Sequence, residues 1–159
     1  MAGENRQRRE KQREERKMGR ERIRLEMDSL SRNEEFARVV AAVFMSRLNP
    51  TLEEVDDVRT AVSEAVTNAV IHGYNGGEGI ISMELEADVE SRRLYIWVRD
   101  TGRGIADVKK AMEPMFTTDP SGERSGMGFS FMEAFMDRLE VESALGEGTQ
   151  VMMEKRIGR

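Results

Sequence analysis

The hydrophobic positions of this chain change their period several times, and each change marks an element. Phe36, Val39, Val40, Val43, Phe44 and Leu48 recur at the intervals of one helical face, behind Ser31 and Glu34 at capping-box spacing. Asn49-Pro50 breaks that helix. Thr51 and Glu54 repeat the capping spacing ahead of a second stripe, Val55, Val58, Val62, Val66, Ala69 and Val70, which closes at Gly73 and the Asn75-Gly76-Gly77 turn. The period then drops to two. Ile81, Met83 and Leu85 alternate with Ser82, Glu84 and Glu86, and Leu94, Ile96 and Val98 alternate with Tyr95, Trp97 and Arg99, as in two paired strands with one buried face. A short helical stretch near Ala106 to Met112 precedes a loop from Glu113 to Gly126 without clear periodicity, of the kind that is often a mobile functional segment. A helix from about Met127 to Arg138 turns Phe131, Met132, Phe135 and Met136 inward. Strand-like stretches, Leu139 to Ser143 and Thr149 to Arg156, then flank a Gly-Glu-Gly turn. This order, α-α-β-β-α-α-β-β with hairpin-like connections, predicts an α/β sandwich of the α+β class: a mixed, largely antiparallel sheet covered by helices on one face.

The length of 159 residues suits one domain plus a tail. Charge shows where the tail lies. Residues 1–24 hold ten Lys/Arg and five Asp/Glu, a net of +5, which leaves fifteen basic and twenty-five acidic groups, a net of −10, on residues 25–159. Residues 1–24 are expected to be a disordered or lone helical extension, and residues 25–159 the folded domain. The chain has no cysteine, which excludes disulfides, a thiolate nucleophile and cysteine metal sites, and is compatible with a reducing cytoplasm. No apolar run approaches the roughly 20 residues of a membrane span, and no signal-peptide segment opens the chain. A soluble cytoplasmic protein without a membrane partner is expected. The acidic body argues against nucleic acid as a direct ligand, because phosphate contacts need a basic face.

Glu64 and Asn68 stand one helical turn apart, on a face nearly opposite Val58, Val62 and Val66, so core packing does not explain them. Such a pair is either solvated surface or a place where an amide oxygen meets a hard cation while a carboxylate accepts a proton. Asp100 ends a strand, and Gly102 and Gly104 behind it allow close backbone approach to a ligand. In Arg124-Ser125-Gly126-Met127-Gly128-Phe129, two glycines stand at a helix start, where free N–H groups favour an anion. Each feature alone also has a purely structural reading. The phosphate motifs G-x-x-x-x-G-K-[ST] and G-x-G-x-x-G are absent, as are the H-R-D and D-F-G of protein kinases.

The ordered combination is more specific. E-A-V-T-N-A-V-I-H-G at 64–73, D-T-G-R-G-I at 100–105 and R-S-G-M-G-F at 124–129 resemble the N, G1 and G2 boxes of the GHKL ATPase and kinase superfamily. S-R-N-E-E-F-A-R-V at 31–39, S-E-A-V-T-N-A-V-I-H-G-Y at 63–74, M-F-T-T at 115–118 and E-R-S-G-M-G-F at 123–129 resemble one branch, the anti-sigma F factors, and the similarity runs from about Leu25 to Ile157. The resemblance implies a Bergerat-type fold binding ATP and Mg²⁺. Asn68 would be the metal ligand and Asp100 the acceptor for the adenine amino group. Gly102, Gly104 and Thr149 would shape the adenine end, and Ser125, Gly126, Met127 and Gly128 would meet the phosphates. The 113–126 loop, with Thr117 and Thr118, would be the lid. Glu64 takes the place of the general base, and Arg124 is a candidate guanidinium for the γ-phosphate.

The same resemblance implies the partners. The single histidine, His72, lies inside the nucleotide motif, so a phosphohistidine relay is disfavoured and a serine on another protein becomes the acceptor. In this family that serine belongs to an anti-anti-sigma antagonist, and the kinase, as a homodimer, holds a sigma factor inactive. Glu34 and Arg38 occupy the family's partner-contact positions, although by spacing alone they read equally as a surface ion pair. Two alternatives remain: a general-stress anti-sigma B type kinase, and a nucleotide-gated sigma-binding module without turnover.

Overall fold

A computed structural model describes residues 2–17, 19–113 and 128–158, and in them one sheet organises the chain. Its strands are β1 (Arg20–Asp28), β2 (Ile80–Asp88), β3 (Arg93–Asp100), β4 (Arg138–Ala144) and β5 (Gly148–Arg156). They lie in the order β1-β2-β3-β5-β4, with every neighbouring pair antiparallel. The expected mixed component of the sheet is therefore absent among the described residues.

Register explains the buried face. Ile23, Leu85, Ile96, Met153 and Leu139 align in one row across the five strands, and Leu25, Met83, Val98, Val151 and Val141 in the next. Every other residue of each strand points to the same side, so two apolar rows generate a continuous apolar face. Helices α2 (Asn33–Met45), α3 (Leu52–Asn68) and α5 (Gly128–Phe135) pack over that face, α3 between the other two. The opposite face is polar: Arg22 pairs with Glu84 and Glu86, Arg99 with Glu84, and Arg93 with Glu154, around the stacked rings of Tyr95 and Trp97. A short helix, α4 (Val108–Ala111), is capped by the Asp107 side chain.

The Thr51 capping box forms as its spacing predicts. The Thr51 hydroxyl accepts from the Glu54 N–H, and the Glu54 carboxylate accepts from the Thr51 N–H at 2.8 Å. The same carboxylate also accepts from the Gly158 N–H at 2.7 Å, which ties the end of the described chain to the start of α3. At its other end, α3 widens into a π-helical turn, Ala69–Gly73. Such turns re-aim side chains and recur at functional sites.

Three local expectations are corrected. Ser31 does not cap α2. The N-cap is Arg32 without a side-chain bond, and Glu34 instead accepts from the Ser63 hydroxyl of α3. The buried face of α2 is Ala37, Ala41, Phe44 and Met45, whereas Phe36, Val39 and Val43 are 57%, 51% and 66% exposed. Ala37 and Ala41 let α2 approach α3 closely; of the expected stripe Phe44 and Leu48 are buried and Val40 packs against the core, so the inward face is rotated toward the alanines and Met45. In α5, Met132 and the following Met136 are buried, but Phe131 faces outward and stacks on Phe135.

The charged N-terminal segment also contributes to the fold. Residues 2–17 form a helix, α1 (Ala2–Lys17), and residues 20–24, read from charge as tail, belong to the edge strand β1. None of the described helices is long and apolar enough to cross a membrane.

Candidate functional site

Three backbone segments meet so closely that glycine is required at each contact. The π-helical turn delivers Gly73 against Asp100 at the end of β3, where a Cβ on Gly73 would lie 2.8 Å from the Asp100 carboxylate carbon. Gly102 crosses directly over Gly73, whose carbonyl a Cβ would strike, and the Arg103 N–H bonds that same carbonyl at 2.9 Å. Gly104, at φ +73°, lies against the Ala144 carbonyl, and Gly148, at φ +87°, against the Asp100 carbonyl. Both conformations suit glycine alone, and the crowding forbids a side chain in any case. The helix end, the Asp100 turn and the β4–β5 hairpin are thereby clamped together.

Polar bonds complete the clamp. The Tyr74 hydroxyl accepts from the Thr101 N–H at 2.9 Å and donates to the Ile80 carbonyl at 2.6 Å. Ser143 accepts from the Ile105 N–H at 2.7 Å, and its hydroxyl lies 2.8 Å from that of Thr149.

Asp100 is 8% exposed at the floor of this junction. Its carboxylate accepts from the Gly102 N–H at 3.0 Å and from the Thr149 N–H. Burial pushes its pKa above the usual carboxylate value, and the two N–H donors offset only part of that rise. An acceptor fixed and buried in this way suits a ligand's N–H donor.

Above Asp100 opens a cavity of about 460 Å³. Val98, Ile105, Phe129, Leu145 and Val151 give it apolar walls; Asn68, His72, Asp100, Asp107 and Thr149 contribute polar groups, and Arg103 and Lys110 also line it. A mostly apolar cleft with a few convergent polar groups is the usual form of a small-molecule site, and this one is large enough for a nucleotide base and sugar.

At the other end of the cavity, α3 and α5 meet. A Cβ on Gly128 would lie 3.0 Å from Asn68 Nδ2, 3.1 Å from Asn68 Oδ1 and 3.3 Å from Glu64 Oε2. The pair on α3 and the second glycine of the 124–129 motif are therefore in mutual contact, and the face of α3 that core packing left unexplained is the face turned to this site. Gly104, Gly128 and Thr149 line the cavity; Glu64 stands just beyond Asn68, and Gly102 lies behind Gly73. Among the described residues no cluster of three or more His, Asp or Glu side chains could hold a metal alone. One amide oxygen beside the glycine at the start of α5 fits the way Mg²⁺ is held in nucleotide sites, by few protein ligands with the rest from phosphate and water.

Thr117, Thr118, Arg124, Ser125, Gly126 and Met127, with nearly all of the expected lid, lie outside the described residues. Glu34 and Arg38 are away from the cavity, on α2. Arg38 pairs with Glu34 and Glu35 at 3.6 Å each. The sequence reading missed Gly73, Lys110 and the apolar walls. Gly73 had a signal, since a glycine closing a helix against an Asp-x-Gly turn demands a close approach. The walls had none, because Val98 and Val151 look like any strand residues.

The model of the "Histidine kinase-like ATPase domain" matches residues 28–155. An anti-sigma F factor of Clostridium acetobutylicum is 55% identical over 127 residues, covering 80% of this chain and 87% of that protein. An anti-sigma F factor of Clostridium kluyveri is 52% identical over 133 residues, covering 84% and 92%. In three dimensions, the RsbU and RsbW domains of a Mycobacterium tuberculosis protein superpose with a TM-score of 0.63 at 19% identity, over 87% of this chain and 33% of that one, a likeness of fold. The chain belongs to the histidine kinase-like ATPase domain family and, within it, to the anti-sigma F factors.

Proposed function

We propose that this protein is an ATP-dependent serine-protein kinase and anti-sigma factor, which sequesters a sporulation sigma factor and phosphorylates a serine of its anti-anti-sigma antagonist. The observation that carries the reading is the meeting of Glu64, Asn68 and Gly128 at one end of a cavity whose other end is the buried acceptor Asp100.

Adenine fits the apolar walls with its amino group donating to Asp100, and the backbone clamp keeps that carboxylate still. The phosphates then run toward Gly128, whose N–H stands at the start of α5, where the helix dipole favours negative charge. Asn68 supplies the side-chain oxygen for Mg²⁺, which when bound neutralises charge on the phosphates. Glu64 accepts the proton of the incoming serine hydroxyl. The serine oxygen bonds to the γ-phosphorus as the bond from that phosphorus to the bridging oxygen breaks, giving phosphoserine and ADP. A positioned general base of this kind contributes about 10²- to 10⁴-fold.

Partner binding falls to α2. Phe36, Val39 and Val43 form an exposed apolar stripe beside Arg38, and a stripe of this size supports a protein interface, whether with a second copy in a homodimer or with a sigma factor.

The experiment uses labelled ATP, Mg²⁺ and a purified antagonist carrying the acceptor serine. Label should move to the antagonist, and Glu64→Gln should reduce transfer at least 10²-fold while leaving sigma-factor capture intact. ATP binding without transfer in the unaltered protein would leave only a nucleotide-gated sigma-binding module.

A further inference from the structure

The acidic body of this protein disfavours polyanions, but that reasoning does not extend to α1, which lies in the basic N-terminal segment. At 3.6 residues per turn, Arg6, Arg9, Arg13, Arg16 and Lys17 fall within an arc of about 100°, and every acidic position of the helix falls outside it. Arg6, Arg9 and Arg13 are exposed, and the ion pair of Arg6 with Glu10 at 3.1 Å is itself open to solvent. The helix lies ahead of the segment, 28–155, that matches the kinase-like domain, so the nucleotide site does not account for it.

The chemistry of α1 restricts what it can hold. Apart from Ala2 it has no apolar side chain, so it offers neither the hydrophobic core of a protein interface nor the apolar face of a membrane-surface helix. Arginine outnumbers lysine on it, and guanidinium groups bind phosphate oxygens with two parallel bonds. A helix is about 10–12 Å across with side chains, which matches the major groove of B-form DNA, about 12 Å wide. From Arg6 to Arg16 the stripe spans about 15 Å, enough for three or four phosphates.

We propose that α1 docks on the phosphate backbone of duplex DNA, without sequence preference, through the arginine stripe Arg6–Arg9–Arg13. The site is independent of the kinase reading, so the two stand or fall separately.

The test is fluorescence anisotropy of a 20-base-pair duplex with the full chain and with R6Q/R9Q/R13Q and R6K/R9K/R13K. Three or four neutralised phosphates predict that raising salt from 50 to 200 mM weakens binding about 40- to 150-fold. The glutamine variant should bind at least 10-fold more weakly and the lysine variant within about threefold of the parent, with unchanged ATP affinity showing that the domain is folded. Absence of binding at 50 mM salt, glutamine-variant affinity equal to the parent's, or tighter binding to phosphatidylglycerol vesicles or poly-glutamate than to the duplex would each overturn the proposal.

Discussion

Replacing Gly73 by alanine tests the geometry on which the nucleotide site depends. The new Cβ would stand 2.8 Å from Asp100 Cγ, 2.8 Å from Oδ1 and 3.0 Å from Oδ2, whereas ordinary contact begins at 3.4 Å. Relief requires a shift of roughly 0.6 Å, and nothing nearby yields cheaply. Asp100 has a short side chain held by the Gly102 and Thr149 N–H groups, and Gly73 is itself bonded to Arg103. Overpacking of this kind costs about 1–3 kcal/mol, which for a chain of this size lowers Tm by about 3–10 °C. Moving the carboxylate also weakens one charge-assisted bond to the base, so ATP affinity should fall about 10- to 100-fold, or about 1.4–2.7 kcal/mol. Calorimetric titration with a non-hydrolysable ATP analogue, alongside a thermal melt without nucleotide, measures both quantities. An alanine variant with parental affinity and a Tm within a degree of the parent would refute the contact between the helix end and Asp100, and with it the proposed adenine site.

Gly128→Ala makes an instructive contrast, because the atoms nearest its Cβ are the side-chain ends of Asn68 and Glu64; it should leave Tm nearly unchanged in the melt while lowering kcat for phosphotransfer more than tenfold. Asp100→Asn should weaken ATP binding by about 1–3 kcal/mol, since an amide also presents a donor to the base. It should also change the pH profile of stability. The folded-state pKa of Asp100 lies above its usual 3.8, so its stabilising contribution is complete below that value and is lost as pH rises through the folded pKa. Melts of the Asn variant and the parent should therefore diverge in favour of the variant as pH rises above 3.8, and a constant gap would contradict the burial of this group. Thr51→Ala removes half of a formed capping box and should cost about 0.5–2 kcal/mol in denaturant unfolding without affecting nucleotide affinity.

The layered fold was legible because its strands alternate cleanly and its helices do not. Ile81, Met83 and Leu85 against Leu94, Ile96 and Val98 announce a paired, half-buried hairpin, and the register places Met83 opposite Val98 and Leu85 opposite Ile96. Where the reading failed, a second signal overlay the first. In β1, Ile23, Leu25 and Met27 alternate as faithfully as in β2, but Arg20 and Arg22 ahead of them pair with Glu84, Glu86 and Asp88, Arg24 between them pairs with Glu26, and this charge hid the strand within the tail. In α2 apolar residues spread over two adjoining faces, Ala37, Ala41, Phe44 and Met45 on one and Phe36, Val39 and Val43 on the other, and only packing against α3 decides between them.

The site was legible in another way, from residues that the fold had no use for. Glu64 and Asn68 were out of phase with the valines of α3, and Gly102 and Gly104 were more glycine than a simple turn needs. Periodicity cannot bring distant segments together, so it could not show that these surpluses converge. Strand pairing does so: Asp100 and Thr149 are register partners on β3 and β5, and the π-helical end of α3 is pinned over both by Gly73 against Gly102. The large apolar residues displaced from the core of α2 follow the same logic. Phe36, Val39 and Val43 satisfy a helical period yet stay more than half exposed, and a surplus of that kind on an outer face points to a binding surface, as the surplus on α3 points to a ligand.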